Sequence, residues 1–239
     1  MPVLYVPPYA GCIPGEGKCS RSMDAYPEQA LEARTRRAYN GDNESGRAGG
    51  RERRMTMKKQ IGTTLALYPT PLTVIGAMVD GKPNWALVGH VGIIGHDRLL
   101  ISMAAAHRTN EGIREEGVLS VNLVDEALLP KADHAGCVSG KREDKSGLFA
   151  WHAAENGAPL IDESPVSMAC TVVDTYRTPG FESFICRIDG TWADEQVLND
   201  AGKIDYRALK PVLFEMPTYE YVASGDVIGR CMHLKDDKK

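Results

Sequence analysis

No apolar run in this sequence approaches the roughly 18 residues that a bilayer-spanning helix needs. The N-terminus, MPVLYVPPYAGCIPG, lacks the basic start of a signal peptide and has prolines inside its apolar stretch. A cytoplasmic protein with no membrane partner is therefore expected. No CxxC pair occurs among the six cysteines, at 12, 19, 137, 170, 186 and 231, and no His/Cys cluster has zinc-ligand spacing. No metal site is expected. The thiols read as free and mostly packed, and Cys137 reads as a buried thiol rather than a nucleophile. GxGxxG after a strand, GxxxxGK(S/T) and GxSxG are all missing. Their absence removes the sequence signatures of a dinucleotide fold, a P-loop and a hydrolase nucleophile elbow.

A further absence is local. From Gly41 to Gln60 there is no Val, Ile, Leu, Phe, Trp or Tyr. Such a segment cannot bury enough apolar surface to offset its ordering entropy. Residues 31–59 also carry nine Lys/Arg against four Asp/Glu, in a chain whose net charge is −4. A basic arm suits nucleic acid, but no aromatic platform or binding motif accompanies it, so no nucleic-acid partner is expected. Residues 1–57 are read as a disordered or mis-annotated extension. GRAGGRERR fits purine-rich codons ahead of a bacterial start site, which makes Met55 or Met57 the expected native start.

What is present lies in residues 58–239, read as one mainly β domain with helical insertions. PLTVIGAMVDGKPNWALVGHVGII has β-branched runs on either side of Asp80-Gly81, a strong hairpin signal. RLLISMA and VLSVNLV read as short buried strands. SMACTVVDTY and ESFICRIDGTWA predict a second hairpin about Thr178-Pro179-Gly180, and YEYVAS a last strand. Helices are predicted over 109–116, about 126–134 and about 144–153. Hairpin-linked strands broken by helices point to a closed or split antiparallel barrel rather than a βαβ sheet.

Three stretches carry candidate chemistry. In ISMAAAHRTNEGIREEG an apolar strand stops at His107-Arg108, Thr109 is a suitable N-cap with Asn110 as the alternative, and Gly117 is a natural stop. A helix start offers free N–H groups and a positive dipole end, so this junction suits a phosphate monoester. The plainer reading of the same residues is an ordinary capped helix beside two solvated charges. GHVGIIGHD spaces glycines so that a flat ligand can approach the backbone, or else marks a bulge in a barrel strand. In CVSGKREDKSGLF, Asp144 is a candidate cap for a helix starting at Lys145, and Lys145 and Ser146 face an anion or only solvent.

In this order and spacing, these stretches resemble the flavin reductase-like family that includes flavoredoxins, over roughly residues 60–235. APLIDESPVSMACTV and YEYVASGDVIG extend the match. The resemblance implies the FMN-binding split barrel, with FMN as cofactor and NAD(P)H as a candidate donor. It implies that His90, Val91 and Gly92 lie along the flavin ring and bond it through backbone groups. Ala104, Ala105 and Ala106 would run beside the ribityl chain and phosphate. His107, Thr109 and Asn110 would hold the phosphate, joined by Ser139, Gly140 and Lys145. His90 is the catalytic candidate, tuning or gating the exposed flavin face. The chain departs from the family at Leu87, His90, Arg98 and Ala105, where Thr, Trp, Pro and Pro are common. An FMN-dependent oxidoreductase, homodimeric, is the function implied. The alternatives are a flavoredoxin-type carrier without NAD(P)H oxidation and a non-catalytic flavin- or haem-binding module.

Overall fold

The computed structural model describes residues 57–233. The expectations for residues 1–56 lie outside the described residues. Every element falls within the unit Ile61–Lys239. Among the described residues, no helix is long and apolar enough to cross a membrane.

The Asp80-Gly81 signal becomes a two-residue hairpin between β2 (Thr73–Val79) and β3 (Lys82–Val88). Both turn residues have positive φ, 50° and 75°, as a turn matched to strand twist requires. The second hairpin joins β9 (Val166–Thr178) to β10 (Phe181–Ala193) through Pro179-Gly180, with Gly180 at φ 84°. These strands form a seven-stranded sheet with β4 (Val91–Ile93), β5 (Arg98–Ala104) and β6 (Val118–Leu123). Its order is β3-β2-β6-β9-β10-β5-β4, and every pairing is antiparallel.

The two edges of that sheet, β3 and β4, are consecutive in the chain. Only Gly89 and His90 separate them, so Val88 and Val91 lie within about 11 Å. A sheet whose edges are tethered so closely must curl on itself, while the seam between β3 and β4 has no ladder. This is the split barrel expected. Alternation sorts its side chains. Ile75, Ala77, Ala86, Val88, Ile101, Met103, Val121 and Phe184 fill the interior. Val74 and Trp85 face outward under Leu128, Ala132, Phe149 and Val212. Apolar cover on both faces explains why β2 reads TVIGAMV, a continuous apolar run, instead of alternating. Gly76 is the gap that admits Trp85: a Cβ there would stand 2.4 Å from the indole.

Helix α1 (Thr109–Glu116) ends at Gly117 with φ 69°, as expected. Its start differs. The N-cap position is Arg108, already in αR conformation, and no side chain caps it. A turn closes first: His107 N–H donates to Ala104 O (3.1 Å) and Asn110 N–H to His107 O (3.2 Å). The backbone is helical before Thr109, so Thr109 lacks the extended dihedrals of an N-cap. Helix α2 runs Leu129–Cys137 rather than 126–134. Asp125 Oδ1 accepts from Leu128 N–H (2.8 Å) to make a turn, and Pro130 suits only the first turn of a helix. The helix expected over 144–153 does not form. Asp144 Oδ1 accepts from Ser146 N–H (2.9 Å) in a tight turn, and β7 (Trp151–Ala153) then pairs with β8 (Pro159–Ile161). A short helix, α3 (Tyr206–Leu209), precedes β11 (Leu213–Glu215) and β12 (Glu220–Val222), which form a small sheet with β1 (Thr70–Pro71). The YEYVAS strand is thus present but short. Four cysteines are described and free: Cys170 and Cys186 are buried, whereas Cys137 and Cys231 are exposed. Cys137 was expected to be buried; its place at the end of α2 puts it at the surface.

Candidate functional site

A cleft of about 260 Å³ opens where the barrel seam meets the end of β5. Leu72, Leu87, Met103, Phe181, Phe214 and Met216 make it apolar, and His90, Ser102 and His107 supply its polar side chains. The chain has only four phenylalanines, and two of them are here. Aromatic rings gather around His90: Tyr68 and Phe181 both have ring centroids 6.2 Å from it. The Tyr68 hydroxyl shares a hydrogen bond with His90 Nε2 (2.6 Å) and lies 3.4 Å from the Met216 sulfur. Burial holds His90 below the ordinary histidine range, so its ring is neutral at neutral pH.

Val91 and Gly92 continue from His90 as β4, which among the described residues pairs only with β5. Its other edge presents unpaired backbone donors and acceptors. Nothing lies within 4 Å of where a Gly92 Cβ would stand. His90 O accepts from Ser102 N–H (2.9 Å), which fixes the segment against β5.

At the other end of the cleft lies the strand-to-helix junction. Ala104 and His107 line the cleft, while Ala105 and Ala106 form an exposed turn. Asn110 and Glu111 N–H groups close onto the carbonyls of His107 and Arg108, as the His107 and Ala105 N–H groups do onto those of Ala104 and Gly180. Thr109 and Asn110 do not face the cleft. Thr109 is buried and its hydroxyl accepts from Asn84 Nδ2 (2.7 Å). Asn110 is fully buried, its Nδ2 donating to Ala104 O (3.2 Å) and Glu182 Oε2 (2.9 Å). Arg108 is engaged by Asp80 and Glu111.

The second loop comes to the same place. Gly140 packs on Asn84, so tightly that a Cβ would stand 2.3 Å from Asn84 Oδ1. Ser139 is exposed, its carbonyl accepting from Arg142 and Glu143 N–H. Lys145 is the informative residue. It is 6% exposed, and its ammonium donates to Ala135 O (3.0 Å) and Val138 O (3.3 Å) at the C-terminal end of α2. The favourable charge acting on it, that of Glu143, stops short of an ion pair. Burial lowers Lys145 to about 8. Burial and the Lys145 charge together lower His107. A desolvated cation in no ion pair among the described residues, next to a basic ring, fits an anion.

Sequence reasoning missed Tyr68, Asn84, Phe214 and Glu182. The last had a signal: in FESFICRIDG an acid shares the strand face of Phe184 and Cys186.

A profile of the flavin reductase like domain matches residues 65–219. The chain belongs to the flavin reductase-like family. In structure this flavin reductase-like protein is similar to flavoredoxin from Methanosarcina acetivorans, at 35% identity and TM-score 0.72, covering 75% of this chain and 97% of that one. Flavoredoxin of Desulfovibrio vulgaris (Miyazaki F) matches at 29% identity and TM-score 0.69, covering 75% and 100%. The FMN-binding protein from Thermus thermophilus, with bound 1-cyclohex-2-enone, shares the fold at 16% identity and TM-score 0.62, covering 79% and 100%. No curated protein matches the sequence. Family membership supports a flavin-binding redox function.

Proposed function

We propose that this protein is an FMN-dependent oxidoreductase that passes electrons from NAD(P)H or a protein donor through FMN to an acceptor. The observation that carries the reading is the pairing of two environments. An apolar cleft walled by aromatic rings ends at His107, on which the charge of the buried Lys145 acts. FMN has that polarity: a flat heteroaromatic ring at one end and a phosphate at the other. His90, Val91 and Gly92 would hold the ring edge through backbone groups, Ala104–Ala106 would run beside the chain, and His107 and Lys145 would grip the phosphate. Thr109, Asn110, Ser139 and Gly140 would shape that grip from behind, through Asn84 and the turn at 139–143.

Bound FMN supplies the hydride and one-electron chemistry; the chain supplies binding, orientation and field. His90, neutral and fixed by Tyr68, would tune or gate the exposed ring face. The exposed Ile93 and Ile94 beside the cleft favour a second copy of the chain, and a homodimer is proposed. Light scattering that finds only monomer with FMN bound would contradict the dimer. For the activity, the FMN-loaded protein is mixed anaerobically with NADH and with NADPH. Bleaching of the flavin absorbance within seconds is the expected outcome. Persistent absorbance with both donors, but bleaching by dithionite, would replace the reductase by a flavoredoxin-type carrier. The similarity to flavoredoxins favours keeping that second reading.

A further inference from the structure

Glu182 lies on β10, directly opposite Met103 of β5, one register step before the strand end at Ala104. Its side chain is 8% exposed. Its two oxygens face different elements. Oε2 accepts from Asn110 Nδ2 (2.9 Å) and pairs with Arg114 Nη1, both on α1; Oε1 accepts from Arg177 Nε (3.1 Å) on β9. Asn110 in turn donates to Ala104 O (3.2 Å), and Ala105 N–H donates to Gly180 O (2.9 Å) at the hairpin tip. Glu182 therefore ties the first and second turns of α1 to the β9–β10 hairpin, across the segment Ala104–Ala106.

The arrangement is costly. Asn110 Oδ1 is buried without a partner among the described residues. Such an orphan costs about 1–3 kcal/mol, which an apolar residue at this position would not incur. A carboxylate placed under the apolar wall of a barrel is a second departure from the cheapest packing. Both departures meet at one point, where they fix the height and direction of the helix start.

We infer that Glu182 is a positioning residue for the anion end of the cleft, acting through Asn110 and Arg114 to hold the α1 amides and His107 where a phosphate is gripped. This rests on the phosphate reading of the site. Glu182 is not among the residues that line the cleft, and as an anion there it would repel a phosphate. Its effect is confined to the phosphate end, because the His90–Gly92 edge is anchored separately, by Ser102 N–H and by Thr70 Oγ1 on Gly89 O (2.7 Å).

The test is fluorescence titration of the flavin-free full chain with FMN and with riboflavin, which lacks the phosphate. In E182Q the FMN Kd is expected to rise about tenfold while the riboflavin Kd stays within twofold. Arg114 is partly exposed, so R114M tolerates solvent at the helix surface and gives a second reading; its FMN Kd is expected to rise about threefold, with riboflavin unmoved. Parallel loss of both ligands in both variants would make Glu182 a stability residue only and overturn the inference. So would an unchanged FMN Kd in both variants. If the unmodified protein binds FMN no tighter than riboflavin, it is the phosphate reading itself that fails.

Discussion

Lys145 concentrates the account at the residue scale. A lysine after an aspartate in a polar loop reads from sequence as a solvated charge or an anion contact. In the structure it is not solvated: buried under the end of α2, it satisfies the carbonyls of Ala135 and Val138 and keeps a positive charge close to His107. The sign of its pH effect follows. In the free protein Lys145 titrates at about 8, lowered by desolvation. A bound phosphate dianion would stabilise the ammonium and raise that value. FMN binding then takes up a proton above pH 8, and affinity falls as pH rises through the free-state value. Between pH 7.5 and 9.5 the FMN Kd is expected to rise by about tenfold, one unit of pKa being tenfold in affinity. Riboflavin, without a phosphate, is expected to show no such slope. A flat FMN profile would place the phosphate away from Lys145. His90, His107, Lys145 and the glycines can be proposed from sequence because the cues that single them out are local. Glu182 was less so, because its partner Asn110 is 72 positions away and no spacing rule connects them.

At the scale of elements, the two hairpins were legible because Asp-Gly and Pro-Gly demand particular turns. Side-chain propensity was overridden at two other places, once by strand pairing and once by a local turn. Residues 151–153 were captured as a strand by Pro159–Ile161, and the start of α1 was set by a backbone turn rather than by Thr109. What holds α1 in place is a glycine. A Cβ at Gly112 would stand 1.9 Å from Met78 O and 2.8 Å from Val79 Cγ2, so the helix lies directly on β2. Gly112→Ala would improve helix propensity by about 1 kcal/mol. The clash is with backbone, however, and α1 must lift. A net loss of roughly 1–3 kcal/mol is expected, read as a lower midpoint in urea unfolding. The FMN affinity should fall with it, because the helix start moves. A variant as stable as the parent would show that α1 does not rest on β2 as described.

On the scale of the whole molecule, the barrel follows from one topological fact: the sheet edges are sequence neighbours joined by Gly89 and His90. Barrel class was legible in the strand and turn pattern. The seam was not, since strand order depends on long-range pairings such as β5 with β10, about 80 residues apart. That seam places the His90 ring, the open β4 edge and the helix junction around one cleft. It also draws in half of a small phenylalanine complement. The central claim is that this cleft ends in a grip on a phosphate. Calorimetric titration of the flavin-free protein with FMN and riboflavin at pH 7.5 tests it most directly. FMN is expected to bind at least tenfold tighter, through a charge-assisted contact worth about 1.5–3 kcal/mol. Equal affinities for the two flavins would contradict it.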